Sequence, residues 1–382
     1  MIRYKIIIRQ LLRNSSNTVV RILSLTIGLT VSLLVFLQIA HQLNFDGFYP
    51  HKDRMYRIGV LWNNRGEIDD SPIIIAPLAQ AIRDDLPEVE QYALIRKGWG
   101  KSYYTEDKKP VNAQSIFADS TFFRFFNFSV LLRSTNSELK VAYKVWISES
   151  TAKKFYGDLN PLGKIIYDSD QKPYEIEGVF KDIPANSHLD FDIVISFETI
   201  RAEGRLYTDW GSGDSFNGYV KLVQGANAKS VEAKIPNVIA KYYDTSEDEK
   251  AGQTETYYLQ PITKINTAYD SYKKMVLEIM AGVGLIVLLI SALNFVLLSL
   301  SSFQKQIYSL GIQQYSGASK SDIARSIAFG QFIQVAVAVI FIAIIIKPAL
   351  NLSGKLWEWS DPVLFNHYSV LFVLSIVGFV LL

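Results

Sequence analysis

Three short stretches of the sequence carry residue types that could do chemistry. In YGDLNPLGKI, at 156–165, Gly157 and Gly163 precede Lys164, as glycines precede the lysine of a phosphate-binding loop. Such a loop also needs four residues between its glycines, a serine or threonine after the lysine, and a strand before it. Here five residues intervene, Ile165 follows the lysine, and a predicted helix comes before. We therefore interpret this stretch as a helix end and a turn rather than a nucleotide site.

A second stretch matches a motif of acylating enzymes. Ser150 and Lys153 fit the S-x-x-K pattern of penicillin-binding enzymes, whose serine is a nucleophile. Those enzymes also carry S-D-N and K-T-G elements, and neither string occurs in this sequence. We expect Lys153 and Lys154 to lie on the solvent-facing side of a helix that Ser148 caps. We predict no catalytic residue in the chain.

The third stretch is DIPANSHLDFD, at 182–192, which places His188, Asp190 and Asp192 close together. Imidazole and carboxylate groups are common metal ligands. The same composition is typical of a turn that proline fixes and short polar side chains cap. We favour the turn, and we predict no metal site and no bound cofactor.

The composition excludes further classes of protein. The 382 residues include no cysteine, which excludes disulfides, thiolate metal sites and cysteine nucleophiles. Lysine and arginine total 39 against 37 aspartate and glutamate, so the basic excess of a nucleic-acid-binding protein is missing. Hydrophobic residues make up 49% of the chain, a share that suits a protein that is part membrane and part water-soluble.

Long apolar runs predict membrane segments. A helix needs about 20 predominantly apolar residues to cross a bilayer. Uncharged runs of 19, 26 and 21 residues follow Arg21, Glu278 and Arg325, and a run of 15 residues ends the sequence. We therefore expect a chain that is cut within its fourth helix, a fragment of a longer protein. The predicted membrane segments are 21–42, 275–303, 326–347 and the start of a fourth at 368–382.

The distribution of charge predicts the orientation. Residues 1–42 contain five lysines and arginines and no acidic residue, which places the N-terminus in the cytoplasm. The segment 1–20 is predicted to be an interfacial helix. The segment 43–274 then lies outside, the loop 304–325 in the cytoplasm, and the loop 348–367 outside again. The predicted location is the inner (cytoplasmic) membrane, crossed several times, with a large periplasmic domain.

The segment 43–274 is predicted to be an α+β domain of two lobes, inserted between the first two helices of an α-helical transmembrane bundle. Its strands follow from β-branched and aromatic runs, and its helices from apolar periodicity and capping residues. The polar stretch DTSEDEKAGQTE, at 244–255, is predicted to be a solvated loop. The predicted strands are QYALIRKGW, YKVWIS, YEIEGVF and FDIVISF; the predicted helices are LAQAIRDDLPEVE, DSTFFRFF (capped by Asp119 or Ser120) and SESTAKKFYG.

Small residues recur on one face of the first apolar run. Ser24, Gly28 and Ser32 are spaced four residues apart. Small residues on one face of a membrane helix allow a second helix to approach closely. We predict that these three pack helices together, within the bundle or in a dimer. Asn294, a polar residue of the second run, is expected to hydrogen-bond between helices or to face the bundle interior.

Several strings together resemble the FtsX/MacB-like permeases of ABC transporters, in the form found in Bacteroidetes. One membrane helix, a large external domain and further helices make up the plan of that family. The resemblance implies a MacB-like periplasmic core domain, in which YGDLNPLGKI is a structural turn. The strings that carry it are NFDGFYPHKDRMYRI, ADSTFFRFFNFSVLL, VWISESTAKKFYGDLNPLGKII and YEIEGVFKDIPANSHLDFD.

The resemblance also implies a mechanism. Such permeases dock a cytoplasmic ABC ATPase dimer through a short element between their second and third membrane helices, and the resulting motion reaches the external domain (mechanotransmission). The outcome is export or extraction of a substrate such as a peptide, drug or lipoprotein. In this chain Tyr308, Ser309, Gln313 and Gln314 replace charged residues usual in that element. The residues assigned to the element are Leu310, Gly311, Ile312, Tyr315, Gly317, Ala318 and Ser319.

Further partners implied by the resemblance are a second permease copy or the second half of the same chain, a periplasmic adaptor or substrate protein, and membrane lipid. Nucleic acid is not expected. Two alternatives stay open: a membrane-anchored sensor with a periplasmic ligand-binding domain, and a membrane-anchored external enzyme. A kinase or cyclase domain in the complete gene would favour the sensor, and loss of an acylation activity in Ser150→Ala would favour the enzyme.

Overall fold

The computed structural model describes residues 15–98, 102–134, 138–205, 209–210, 215–268 and 271–357. The chain divides into two compact units. The domain unit is Phe45–Asn266, and the helical unit is Met1–Asn44 with Thr267–Leu382. Of the predicted interfacial helix at 1–20, residues 1–14 lie outside the described residues, and so does the whole segment predicted at 368–382.

The described residues form thirteen strands and eleven α-helices. The strands are β1 Met55–Asn64, β2 Glu67–Ser71, β3 Val89–Lys97, β4 Ser102–Thr105, β5 Pro110–Asn112, β6 Ser115–Ala118, β7 Val130–Arg133, β8 Lys144–Ser148, β9 Ile165–Tyr167, β10 Pro173–Phe180, β11 Ile193–Ser196, β12 Asn217–Leu222 and β13 Gln253–Pro261. The helices are α1 Ser15–Leu43, α2 Ala76–Asp85, α3 Phe122–Phe126, α4 Glu149–Tyr156, α5 Phe197–Ala202, α6 Ala228–Glu232, α7 Ile235–Ile239, α8 Ser246–Lys250, α9 Ile265–Ala268, α10 Ser271–Tyr315 and α11 Lys320–Trp357.

All the described strands belong to one mixed sheet in the domain unit. Its order is β13-β1-β12-β3-β6-β11-β8-β10-β9-β4-β5, with β2 beside β1 and β7 beside β10. The pairs β6–β11 and β8–β10 are parallel, and the other pairs are antiparallel. An α+β domain is thus confirmed, whereas its division into two lobes stays a prediction.

The sheet is covered on both faces. Side chains of successive strand residues point to opposite faces. In β3, Leu94 lies in one hydrophobic core while Ala93 and Ile95 lie in the other, and in β8, Val145 and Trp146 divide in the same way. Burial on both faces explains why these strands are nearly continuous apolar runs in the sequence.

Aromatic side chains dominate one of the two cores. The rings of Phe122 and Phe126 in α3 lie 5.1 Å apart and are almost completely buried. Phe191 and Tyr219 add edge-on contacts from the far part of the chain, at 5.6 Å from Phe122 and 5.2 Å from Phe126. Such edge-on pairs stabilise a core beyond the area that they bury.

In the helical unit, α10 and α11 both pack against α1. A stripe of leucines at four-residue spacing runs along α1 from Leu25 to Leu37 and meets Phe295 of α10 and Val335 of α11. Among the described residues, three helical segments are long and apolar enough to cross a membrane: Thr18–Leu43, Lys274–Gln304 and Lys320–Ile346. Helix α10 continues to Tyr315 and α11 to Trp357, so helix occupies most of the predicted loop 304–325 and the first part of 348–367.

Two details of the predicted domain are wrong. The stretch 244–255 is not a loop: it contains α8 and the start of β13, because pairing with β1 orders a polar sequence that buries little by itself. The helix predicted over LAQAIRDDLPEVE ends at Asp85. Pro87 disfavours helical geometry in the residue before it, and Val89 then opens β3.

The predicted cap of α3 is also wrong. Thr121, rather than Asp119 or Ser120, occupies the N-cap position, and no side chain caps the helix there. Asp119 instead accepts hydrogen bonds at Oδ1 from the backbone N–H of Thr121 (3.3 Å) and from its hydroxyl (2.8 Å). The carboxylate therefore fixes the turn before the helix.

Candidate functional site

The segment Asp182–Asp192 connects β10 to β11 and bonds to two separate parts of the domain unit; we call it the brace. Pro184 begins a turn in which the N–H of Ser187 donates to the Pro184 carbonyl at 3.1 Å. Asn186 and Ser187 are buried within this turn. The turn predicted from the sequence is therefore present, and its polar side chains face inward.

The middle of the brace, at residues 186–188, holds Asp46, three residues beyond the end of α1. The N–H of Asp46 donates to the Asn186 carbonyl at 2.7 Å. Its Oδ1 accepts from the Ser187 hydroxyl at 3.2 Å and from the His188 N–H at 3.1 Å. His188 Nδ1 lies 2.8 Å from the same oxygen, and the Asp46 side chain is fully buried. A buried carboxylate needs this set of donors to offset its desolvation.

The cluster around Asp46 extends to two tyrosines. His188 Nε2 lies 2.9 Å from the Tyr219 hydroxyl, and the Tyr49 hydroxyl lies 3.4 Å from Ser187 Oγ. Burial raises the pKa of Tyr219 and, helped by the Asp46 charge, that of Tyr49. Both phenols therefore stay protonated. The protonated Tyr219 hydroxyl can donate to His188 Nε2, while His188 Nδ1 lies beside Asp46.

The two ends of the brace, Asp182 and Asp192, contact helix α4. Asp192 Oδ2 accepts from the Gln114 N–H at 2.9 Å, and its Oδ1 lies 3.4 Å from the Thr151 hydroxyl that donates to it. Asp182 Oδ1 accepts from the N–H of Ser150 at 2.9 Å. Asp190 is exposed. His188 and Asp192 thus contact different parts of the domain unit, and in the described ranges no group of three such side chains could hold a metal ion.

Ser150 and Lys153 lie on α4. The helix begins as predicted, because Ser148 Oγ accepts from the Thr151 N–H. Ser150 Oγ lies 3.3 Å from Ser148 Oγ, while Lys153 Nζ pairs with Glu149 at 2.9 Å on the exposed side of the helix. The arrangement is that of a helix surface, with the lysine directed to a carboxylate and not to the serine.

YGDLNPLGKI forms the end of α4 and the turn that leads to β9. Gly157 ends the helix with φ of 62°, and Gly163 has φ of 77°, in the region that favours glycine. The Gly163 N–H donates to the Ile176 carbonyl, and the Ile176 N–H donates to Lys164, both within 2.9 Å. The amides of this turn are therefore used within the sheet rather than presented to a phosphate.

The chain enters and leaves the domain unit through paired strands. β1 and β13 are antiparallel neighbours over nine residue pairs, from Tyr56 opposite Pro261 to Asn64 opposite Gln253. Met55, at the start of β1, shares a core with Ile262, just beyond β13. The entry and exit points of the domain unit are therefore next to each other.

The residues assigned to the coupling element lie in a helical hairpin. Leu310, Gly311, Ile312 and Tyr315 belong to α10, and Gly317, Ala318 and Ser319 form the turn to α11. The Ala318 N–H donates to Gln313 and the Gly317 N–H to Gln314, which is a Schellman motif with Gly317 at φ 94°. Tyr315 is 96% exposed.

The start of α11 is capped within the same turn. The N–H of Asp322 donates to Ser319 Oγ at 3.2 Å, while the N–H of Ser319 donates to Asp322 Oδ2 at 3.2 Å. This reciprocal pair is a capping box. The hairpin is therefore a defined turn between two long helices.

The three small residues of α1 all face α10. Ser24 Oγ accepts from the Asn294 side-chain amide, and Ser32 Oγ donates to the Gly284 carbonyl at 3.2 Å. A Cβ added at Gly28 would lie 1.6 Å from Ser291 Oγ. The structure therefore brings α10 against the small-residue face, and Asn294 hydrogen-bonds between helices.

The sequence singled out His188 as a possible metal ligand, but not Asp46, Tyr49 or Tyr219, with which it clusters. Asp46 and Tyr219 are single residues in unrelated strings, 142 and 31 positions from His188. The one available signal was that NFDGFY and PANSH both occur among the strings of the family resemblance. Their contact explains why both strings are part of the pattern.

A mixed sheet covered on both faces, together with three helices among the described residues that are long and apolar enough to cross a membrane, indicates a membrane protein with a large folded domain. The family described as MacB-like periplasmic core domain matches residues 18–238, more than half of the chain. The chain belongs to this family. The resemblance seen in the sequence is thus confirmed.

Several solved structures are similar to this chain. A domain of a protein described as a permease from Porphyromonas gingivalis is 26% identical, with a TM-score of 0.51 over 56% of this chain and 91% of that chain. This relative fits the Bacteroidetes form of the strings. The periplasmic region of MacB from Actinobacillus actinomycetemcomitans is 13% identical (TM-score 0.40; 59% and 95% covered). The extracellular domain of the noncanonical ABC-type transporter YknZ from Gram-positive bacteria is 16% identical (TM-score 0.38; 53% and 99% covered). No curated protein matches the chain.

Proposed function

We propose that this chain is the permease subunit of an ABC transporter, which passes motion from a cytoplasmic ATPase dimer to a periplasmic domain and has no catalysis of its own. The observation that carries the proposal is the pairing of β1 with β13 over nine residue pairs. The strand that follows α1 and the strand that precedes α10 are bonded to each other. A displacement of α1 or α10 would therefore move the same pair of strands, β1 and β13.

The brace supports the same proposal. Asp46 lies between α1 and β1, and its buried bonds to Ser187 and His188 fix the connecting segment to the domain unit. A loosely attached segment would stretch before it transmitted a displacement. We therefore propose that the brace makes this connection stiff, as mechanotransmission requires.

The hairpin between α10 and α11 is the proposed ATPase-docking element. Its apolar and aromatic side chains, including Ile312 and Tyr315, are exposed. We propose an orientation in which this hairpin and the N-terminus are cytoplasmic and the domain unit is periplasmic, in the inner membrane. The substrate class proposed is a peptide, drug or lipoprotein that is exported or extracted.

The proposal is tested with the full-length gene product, purified in detergent from its native host and analysed by mass spectrometry. A roughly stoichiometric Walker-type ATPase is the expected companion. If the intact permease carries no ATPase, the proposal fails and the sensor with a periplasmic ligand-binding domain takes its place.

A substitution in the hairpin tests coupling within that complex. Gly317→Pro replaces a residue at φ 94° with one restricted to φ near −65°, and it removes the N–H that bonds to Gln314. We expect permease-dependent ATP turnover to fall by at least about tenfold, since coupling between sites is typically worth that much. Gly311→Ala is the matched control, because no atom lies within 4 Å of the added Cβ. Equal turnover in both variants would remove the hairpin from the mechanism.

A further inference from the structure

β7 is an edge strand of the domain unit. Within the described part of the chain its only strand partner is β10. The N–H of Ser134 donates to the Glu177 carbonyl, and the Ser129 carbonyl accepts from Lys181, both at 2.9 Å. Ser129 and Ser134 thus direct backbone groups towards β10 at the two ends of the strand. A register shift opposite β10 absorbs one extra residue between them.

Among the described residues, no strand pairs with the far side of β7. Successive residues of a strand direct their N–H and C=O groups to opposite sides. Val130 follows Ser129 and Arg133 precedes Ser134, so the backbone groups of Val130 and Arg133 face away from β10. A strand added here would bond to these two residues.

The side chains of β7 are unusual for an edge strand. Val130, Leu131 and Leu132 are consecutive and are 39%, 46% and 45% exposed. Proteins protect strand edges with charges, proline or covering helices. β2 carries three acidic residues, β5 begins with Pro110, and α6, α7 and α8 contact β13. β7 has an open backbone edge and an exposed apolar surface together.

The surroundings of β7 are positively charged. Arg124, Arg133 and Lys181 form no ion pair with any residue that the structure describes. Glu138 pairs with Lys140, which lowers the pKa of that carboxyl, and Arg124 and Arg133 are near enough to lower it further. Glu138 is therefore one acidic group close to three cations, Lys140, Arg124 and Arg133. A segment that pairs with the edge of β7 binds more tightly if it carries negative charge.

We propose that β7 is a docking site for an extended segment of a partner protein, which adds a strand to the sheet and carries apolar side chains flanked by acidic residues. Strand addition gives affinity through the backbone, while side-chain pockets and charges select the partner. A second copy of β7 would bring Arg133 and its neighbouring cations towards their own copies. A lipid surface offers no row of N–H and C=O groups to Val130 and Arg133. This site is independent of the ATPase coupling proposed above.

The first test is peptide binding to the full chain in detergent. The probe is a fluorescein-labelled hexapeptide that has glutamate at both ends and alternating valine and threonine between them. We expect saturable binding and slower hydrogen exchange at the Arg133 amide. A peptide with N-methylated valines keeps the side chains and loses backbone donors, and a lysine-flanked peptide reverses the charge. Both should bind at least about tenfold more weakly. Equal binding of the N-methylated peptide would overturn the proposal.

Two substitutions at Arg133 distinguish the contribution of its backbone N–H to binding from the contribution of its charge. Arg133→Pro removes an N–H that faces away from β10, a place where edge strands accept proline. Arg133→Gln removes the same charge and keeps the N–H. We expect the proline variant to lose peptide binding and the glutamine variant to weaken it a few-fold. Equal affinities for the two variants would contradict strand addition.

Two other occupants give distinct results in the exchange measurement. Protection of β7 amides that rises with protein concentration, without peptide, would identify a second copy. Protection that appears only in nanodiscs of anionic lipid would identify the membrane surface. Either result, in the absence of binding by the glutamate-flanked peptide, would overturn the proposal.

Discussion

Asp46 and His188 show how a single buried pair can hold a connecting segment in place. Removing the His188 ring takes away the imidazole nitrogen that lies 2.8 Å from the buried Asp46 carboxylate, and a buried charge that loses its partner is strongly destabilising. We expect His188→Ala to lower the free energy of unfolding by about 2–4 kcal/mol. Chemical denaturation of the detergent-solubilised chain measures the change.

The matched control for this change lies in the brace itself. Asp190 is exposed, so Asp190→Asn should alter the free energy of unfolding by no more than about 0.5 kcal/mol. The double variant Asp46→Asn, His188→Ala should cost less than the sum of its parts, because the two residues interact. Strictly additive losses would show that the pair does not act as a unit.

Asp119 gives a prediction about pH. Burial raises the pKa of its carboxyl to about 6, against bonds from Thr121 that lower it. The folded protein therefore holds this proton more tightly than the unfolded chain, whose carboxyl has its ordinary pKa near 3.8. The stability that comes from the neutral carboxyl is present at low pH and is lost as the pH rises from about 4 to about 6.

The variant Asp119→Asn isolates this effect, because asparagine is neutral at every pH. We expect the unfolding free energy of the variant to gain on that of the parent by about 2–3 kcal/mol between pH 4 and pH 7, because the folded-state pKa of about 6 lies above the ordinary value of 3.8. Denaturation curves at several pH values measure the difference. Parallel pH profiles for the two proteins would show that Asp119 stays ionised in the folded state.

Residue types predicted local geometry better than they predicted chemistry. The Ser148 cap, the Gly157 helix end and the Pro184 turn each depend on neighbours within a few positions, and each is present. In all three stretches that resembled chemical motifs, polar groups bond to neighbouring helices, turns or strands of the domain unit. The Asp46 cluster, by contrast, joins residues far apart in the chain, and no spacing within the sequence encodes such a contact.

At the level of elements, the contact between α1 and α10 depends on a missing side chain. A Cβ at Gly28 would overlap Ser291 Oγ, so Gly28→Ala must push the two helices apart. We expect a loss of thermal stability equivalent to about 1–3 kcal/mol, the usual cost of overpacking. The melting temperature of the chain in detergent measures it.

Two further variants make this test specific. Gly282, also in α10, has no atom within 4 Å of an added Cβ, so Gly282→Ala should not destabilise. Adding Ser291→Gly to Gly28→Ala should restore most of the lost thermal stability, because it removes the atoms that clash. Failure of this rescue would mean that the cost of Gly28→Ala arises elsewhere than at the helix contact.

Element types followed from periodicity where burial was clear. The central strands β3, β8, β10 and β11 lie where apolar runs predicted them. The polar start of β13 was missed because its order comes from pairing with β1, which a local pattern does not reveal. The lengths of α10 and α11 were underestimated for a related reason, since helix continues past the apolar run into polar residues.

At the level of the whole molecule, β1 and β13 should move as one element. Cysteines at Asn64 and Gln253, which are paired and exposed at the far end of the two strands, allow this to be tested in a chain with no other cysteine. We expect the oxidised double variant to keep permease-dependent ATP turnover, because the disulfide joins strands that are already paired. The two single-cysteine variants under the same oxidant are the controls. Loss of turnover on oxidation, reversed by reductant, would show that the strands separate during the cycle.

The overall plan of the molecule was accessible from the sequence, and its internal connections were not. Apolar runs and family strings predicted a permease with a large α+β domain. They did not predict that the first and last strands of that domain are neighbours, because this follows from a sheet order that returns across the whole domain. Strand order depends on non-local pairing, which leaves no mark in a hydropathy pattern.

The closeness of the two ends of the domain unit also bears on how such proteins arise. A segment whose termini meet can be inserted into a connection of a host protein without stretching it, and can be removed or exchanged as easily. A pair of apolar helices joined by a short turn could have acquired this sheet by a single gene insertion. The same geometry allows domains of different size and specificity to be exchanged on one set of helices during evolution.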